Sequence, residues 1–197
     1  MTSIMPENGI KVTAGPILVT GGAGFIGSTL VRHLRRASVP VVVLDAMTYA
    51  ASPVTVAELN SDSGCQVVVG KIENQELVVS LLEKWKPSAL VNLAAESHVD
   101  RSIDGPGTSM YTNSIGVFEL LEAVRKCQTH LADGFRFVQV STDEVYGSIS
   151  NGQFTEHSPY APRSPYSASK ASGDHIARAY HHTYGIPVII TNCSNNF

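Results

Sequence analysis

At 197 residues, 43% hydrophobic and 16% charged, the chain has the composition of one ordinary globular domain, which excludes disordered and fibrous classes. A net charge of −3 leaves no sequence-wide basic field. Neither nucleic acid nor an anionic membrane is therefore an expected partner, and any bound phosphate must be held locally.

In chain order, Met1 to Gly15 is polar and interrupted by Pro and Gly, and reads as a loose extension to a domain over 16–197. No segment supplies the roughly 18 apolar residues of a membrane span. Short apolar runs predict strands at Pro16–Thr20, Val41–Asp45, Gln66–Val69, Ala89–Ala94, Arg136–Ser141 and Pro187–Thr191. Helical patterns alternate with them at Phe25–Ala37, Val54–Asn60, Asn74–Lys86, Thr108–Gln128 and Tyr166–Tyr184. A Gly-, Ser- and Pro-rich loop spans Gly147–Pro165. Unbroken apolar strands alternating with helices predict an α/β fold, a doubly wound parallel sheet of Rossmann type. Cys65, Cys127 and Cys193 are an odd number at wide spacing, which makes no metal cluster or disulfide framework and points to a reducing, cytoplasmic setting.

The turn Gly21-Gly22-Ala23-Gly24-Phe25-Ile26-Gly27 follows the first strand and opens the first helix. Gly21 permits a tight turn, Gly24 lets backbone N–H groups approach phosphate, and Gly27 allows close helix–strand packing. The helix N-terminus adds partial positive charge. Asp45, closing the second strand, is placed to accept hydrogen bonds from ribose hydroxyls and to repel a 2′-phosphate, which favours NAD over NADP; its plainer reading is a solvated strand end.

Beyond the fifth strand stands Ser141-Thr142-Asp143-Glu144-Val145-Tyr146-Gly147, and Tyr166 and Lys170 open the last helix four positions apart, on one face. An ammonium there stabilises a phenolate and can bond the nicotinamide ribose. Asp143 and Glu144 read either as a solvated acidic loop or as an acid–base pair whose environments drive their pKa values apart.

The stretches Thr20–Ser28, Leu93–Ile103, Ser141–Gly147, Ser164–Ser172 and Thr191–Asn196 resemble the extended short-chain dehydrogenase/reductase family, and within it the dTDP-glucose 4,6-dehydratases. The resemblance covers nearly all of the chain from Pro16 onward. It implies a lyase that regenerates its NAD. Tyr166 would take the proton of the sugar 4-hydroxyl as hydride leaves C4, with Thr142 and Lys170 assisting. Glu144 would remove the C5 proton and Asp143 would protonate the departing 6-hydroxyl, giving a 4-keto-6-deoxy sugar. The resemblance also assigns Phe25 and Ile26 to the pyrophosphate, Asp45 and Thr48 to the adenosine ribose, and Ile72 to the adenine. Leu93, Ala94, Ala95, Ser97 and Thr112 would line the cofactor, and Ser97, Thr142, Asn195 and Asn196 the sugar side. A metal role is not expected, and His98 reads as a packing or loop-bracing residue.

Lys71 and Ala46 stand where the family usually has Asp and Lys, and Phe197 where it has Tyr followed by a substrate domain. The expected function is the cofactor-binding half of a nucleotide-sugar dehydratase acting on dTDP-glucose. Alternatives are a non-catalytic NAD-binding module and a sister epimerase or decarboxylase. The helices Thr108–Gln128 and Tyr166–Tyr184 resemble those that pair across a two-fold axis, which implies a homodimer.

Overall fold

The computed structural model describes residues 15–196; the expected extension up to residue 14, and Phe197, lie outside the described residues. Six strands form one parallel sheet in the order β3-β2-β1-β4-β5-β6: β1 (Ile17–Thr20), β2 (Val41–Asp45), β3 (Cys65–Val69), β4 (Ala89–Asn92), β5 (Arg136–Thr142) and β6 (Val188–Cys193). Seven α-helices connect them: α1 (Phe25–Arg36), α2 (Pro53–Ser61), α3 (Gln75–Trp85), α4 (Val99–Asp104), α5 (Pro106–Met110), α6 (Val117–Cys127) and α7 (Pro165–Tyr184). The expected α/β doubly wound architecture is the one observed.

Alternation of side chains along each strand divides the core in two. Leu18, Val42, Leu44 and Leu90 point to the face carrying α3 and α6, where they meet Val78, Leu82, Leu120 and Leu121. Val19, Val41 and Val43 point the other way and meet Val31 of α1 and Leu59 of α2. Full burial of each such side chain contributes about 1.5–3 kcal/mol. The second face is covered unevenly. Val91, Val138 and Val140 face away from α6 and α7, are half-buried, and belong to neither cluster. Ile189 of β6, which points to that same side, is exposed.

Helix ends follow local chemistry. Asn74 caps α3 by accepting the Leu77 N–H at 3.1 Å, and Pro87 follows its end. Ser164 and Ser167 form a reciprocal capping box on α7, with Pro165 in its first turn. Two of the expected elements take a different form. The predicted helix Thr108–Gln128 contains a wide π-type turn at Tyr111–Gly116 between α5 and α6; its apolar residues keep helix-like spacing across the wide turn, so the irregularity leaves no periodic signal. The fourth strand ends at Asn92 rather than Ala94, because the Ala94 N–H turns to the Thr20 Oγ1 at 3.3 Å and leaves the ladder.

Candidate active site

The crevice opens where the strand order reverses, between β1 and β4, beyond the carboxyl ends of the strands. Gly21 has φ +69°, and a Cβ there would lie 2.7 Å from the Ala94 nitrogen. A Cβ on Gly27 would collide with the Gly21 carbonyl oxygen. The turn is thus pressed against both the β4 exit and its own helix, geometry open only to glycine. Gly24 is the N-cap of α1 and supplies no side-chain cap, and the first turn carries no acidic residue. Phe25 and Ile26 are exposed beside it. The unsatisfied N–H groups at that helix start are offered outward, a cradle that fits a pyrophosphate.

Asp45 is buried and accepts the Ala23 N–H through Oδ2 at 2.9 Å and the Met47 N–H through Oδ1 at 2.8 Å. Thr48 is exposed just beyond it. Ile72 is buried, with its side chain where a Cβ on Gly116 would fall, so only its backbone can face the groove. Thr112 donates to Glu73 Oε1 at 2.9 Å. Leu93, Ala94 and Ala95 are half-buried along the groove and Ser97 is exposed. Asn195 and Asn196 lie exposed beyond β6, Asn196 Nδ2 donating to the Ser194 carbonyl at 3.0 Å. The His98 ring packs 5.5 Å from that of Tyr49, in keeping with a loop brace. Among the described residues no group of three His, Cys, Asp or Glu is arranged to hold a metal.

The chemical residues converge at the ends of β5 and α7. Thr142 closes β5 and accepts the Glu144 N–H at 3.3 Å, which starts the tight turn Asp143–Tyr146. Tyr166 sits in the first turn of α7, its backbone N–H donated to Ser102 Oγ of α4 at 3.2 Å. Burial, then the Glu144 carboxylate, push the Tyr166 phenol up to about 12, against a hydrogen bond with the Thr142 side chain; Asp143 adds to the rise. Burial and the charge of Asp143 raise the Glu144 carboxyl above its ordinary range. Lys170 is buried, donates to the Val140 carbonyl at 2.6 Å, and is brought by burial down to about 8. Both carboxylates lie within electrostatic reach of the Tyr166 phenol, Asp143 half-buried and Glu144 exposed at the mouth of the turn.

Three buried residues escaped the sequence reading. Asn113, in the wide turn, accepts the Glu96 N–H at 2.9 Å and donates to the Glu96 carbonyl at 3.0 Å and to Ser169 Oγ at 2.9 Å. It thereby ties the groove-lining segment to α7. Asp174 accepts from Ser141 Oγ at 2.6 Å and from Tyr160 Oη at 3.0 Å. Its position four residues past Lys170 extends the Tyr-x-x-x-Lys face by one more turn and was the available signal. Gln139 accepts from Asn92 Nδ2 at 2.8 Å, and Asn92 accepts from Thr20 Oγ1 at 2.5 Å. This polar bridge runs across β1, β4 and β5 in register.

The GDP-mannose 4,6 dehydratase family model matches residues 18–197. A dTDP-glucose 4,6-dehydratase of Xanthomonas campestris pv. campestris is 54% identical over 185 residues, covering 91% of this chain and 53% of that protein. The Salmonella typhimurium enzyme of the same name is 44% identical, covering 92% and 54%. Among solved structures, the dTDP-glucose 4,6-dehydratase DesIV from Streptomyces venezuelae, with NAD and TYD bound, superposes with a TM-score of 0.84 at 47% identity, over 92% of this chain and 56% of that one. A Thermus thermophilus UDP-glucose 4-epimerase complexed with NAD gives 0.78 at 29% identity, over 90% and 54%. The chain spans about half the length of the curated relatives it matches. Because the family model runs over nearly the whole chain, the chain belongs to the GDP-mannose 4,6 dehydratase family.

Proposed function

We propose that the chain supplies the cofactor-binding and catalytic half, over residues 16–197, of an NAD-dependent nucleotide-sugar 4,6-dehydratase that converts dTDP-glucose to dTDP-4-keto-6-deoxyglucose and water. The observation that supports this reading is the turn Asp143–Tyr146, started at Thr142, which brings two carboxylates within electrostatic reach of the Tyr166 phenol. An oxidation at C4 alone needs the phenol; an elimination needs an acid and a base as well. The choice of dTDP-glucose rests on similarity to the dehydratases of that name.

Bound in the groove, NAD supplies the acceptor and donor of hydride. Phe25 and Ile26 N–H groups hold its pyrophosphate, and Asp45, with lone pairs left beyond its two backbone bonds, takes the adenosine ribose. Ile72 and Thr48 flank the adenosine, while Leu93, Ala94, Ala95, Ser97 and Thr112 wall the groove. Tyr166 removes the proton of the sugar 4-hydroxyl, steadied by Thr142 and by the Lys170 ammonium, which also bonds the nicotinamide ribose. The C4 ketone acidifies the neighbouring C–H. Glu144, its carboxyl already raised toward working pH, takes the C5 proton, and Asp143 gives a proton to the leaving 6-hydroxyl. Asn195 and Asn196 serve the sugar side.

The protein is also proposed to be a homodimer in the cytoplasm. Tyr111, Ile115 and Phe118 expose a large apolar stripe along the wide turn and α6, and Tyr184 extends it on α7. Helical stripes of this kind pack against a second copy. Three free thiols, two of them buried, suit a reducing compartment.

Incubation with NAD and dTDP-glucose, followed by the alkali-induced absorbance of a 4-keto sugar, tests the activity. Asp143→Asn should halt after oxidation and accumulate reduced cofactor. Binding of NAD with no keto sugar formed would instead leave a cofactor-binding module, and a product epimeric at C4 would establish an epimerase.

A further inference from the structure

Lys170 is enclosed. Its ammonium has the Val140 carbonyl as a hydrogen-bond partner, and burial works against its charge. A buried cation without a counter-charge gives up its proton. The groups around it are few. On its own helix these are Tyr166 one turn before and Asp174 one turn after; from β6 the Cys193 thiol faces it. The wide turn packed on α7 meets the adjoining Ser169 through the uncharged Asn113 and Ser114. Asp143 and Glu144 act on Tyr166. Asp174, buried four positions further along the same helix face, is therefore the anion that most favours the charged ammonium.

Asp174 is held for that role. It is fully buried. Ser141 Oγ of β5 and Tyr160 Oη both donate to Oδ2, while Oδ1 has no hydrogen-bond partner. Tyr160 is fixed in turn by Arg178, whose guanidinium donates to its oxygen at 3.0 Å and lies 4.7 Å from its ring. Asn192 Nδ2 reaches the same oxygen at 3.4 Å, and His175 stacks 5.3 Å from the ring. Arg178 is the second cation favouring the Asp174 anion. Each of these contacts restricts the carboxylate, and none neutralises it by direct ion pairing.

We propose that Asp174 is a positioning residue for the Tyr166–Lys170 pair, a buried carboxylate one helical turn beyond the lysine that supplies the counter-charge for its enclosed ammonium. The catalytic meaning of that charge rests on the proposed dehydratase function; the electrostatic link itself does not. Burial raises the Asp174 carboxyl above its ordinary range, while Ser141, Lys170, Tyr160 and Arg178 each oppose that rise and favour the anion; the proposal requires that anion where Lys170 titrates. Removal of the anion lowers the pH at which Lys170 discharges.

The test is NMR titration of the lysine ammonium groups in the full 197-residue chain without cofactor, with Lys170 assigned by Lys170→Arg. The Lys170 midpoint should fall by about one unit or more in Asp174→Asn, and Asp174→Glu should restore most of it, a rescue that a purely structural role would not produce through charge. An unchanged midpoint in folded Asp174→Asn overturns the proposal. If that variant does not fold, Ser141→Ala decides: loss of the 2.6 Å donor eases protonation of Asp174, so the midpoint should drop in the same direction by less, and no drop overturns the proposal. Failure of the unmodified chain to bind NAD would count against the dehydratase reading alone, because the Lys170 midpoint is read without it.

Discussion

Asp45, at the end of β2, and Ala23, in the glycine turn after β1, are joined by a 2.9 Å hydrogen bond from the Ala23 backbone N–H to Oδ2. The carboxylate proposed for the ribose is thus already tied to the glycine turn, and its other oxygen takes the Met47 N–H. Asp45→Asn replaces one acceptor by an amide that confronts an N–H donor. We expect a loss of about 1–3 kcal/mol in stability, seen by thermal unfolding, together with weaker NAD binding in calorimetry and no gain in NADP binding. Unchanged NAD affinity would remove Asp45 from the ribose site.

Gly27→Ala tests the contact between the turn and its helix. The added methyl group meets the Gly21 carbonyl oxygen and the Gly22 Cα, both backbone atoms that can yield only by opening the turn. The expected result is a loss of about 2 kcal/mol or more in stability with NAD binding abolished. A folded Gly27→Ala chain that binds NAD normally would contradict the close packing described.

Tyr166 should titrate differently once positive charge arrives. Its phenol, pushed up to about 12 by burial and Glu144, is a poor base at neutral pH until a cation opposes those effects. The cationic nicotinamide adds to Lys170, so NAD should lower the pH at which the Tyr166 phenolate appears. The measurement is the ultraviolet difference titration of the native chain minus Tyr166→Phe, with and without NAD. An equal midpoint in both would show that the nicotinamide does not reach the phenol.

Glu122 links α6 to α7 and confers an acid-sensitive increment of stability. It accepts Arg125 Nη2 at 2.8 Å and Tyr180 Oη at 2.7 Å, and the Arg125 guanidinium first, then Tyr180, bring its carboxyl down to about 2 against burial. Because the folded value is depressed, the increment is fully present above the ordinary carboxyl pKa near 4.5 and is lost as pH falls through about 2. Partial exposure limits it to about 1 kcal/mol. Chemical denaturation from pH 5 to pH 2 should show a shallower acid slope in Glu122→Gln; parallel slopes would assign the loss to other carboxylates.

Strands and helices were legible because their residues obey one rule each: Val41 to Asp45 is apolar throughout and lies buried throughout. The glycine turn, Asp45 and the Tyr166–Lys170 spacing were legible for a similar reason, since each is a local pattern with a local cause. The helix α4 was missed: Val99–Asp104 is short and largely polar, and its helical form is fixed by packing on α7, as in the Ser102–Tyr166 bond. The Leu93–Ala94 segment read as strand because it is apolar, yet it leaves the sheet after Asn92. Asn113 and Asp174 escaped as partners because their bonds reach across 14 to 56 residues, and no single-sequence spacing encodes such distances.

The uneven cover of the sheet has a thermodynamic consequence. Between β4 and β6 only one face is roofed among the described residues, and Val91, Val138, Val140 and Ile189 keep apolar surface in water on the other. These are the strands that carry Thr142 and brace Asp174. Any polypeptide that settles on that face withdraws its apolar area from water and by mass action draws the whole sheet toward the native state. The steadiness of the catalytic residues on one side is thus coupled to occupancy of the other.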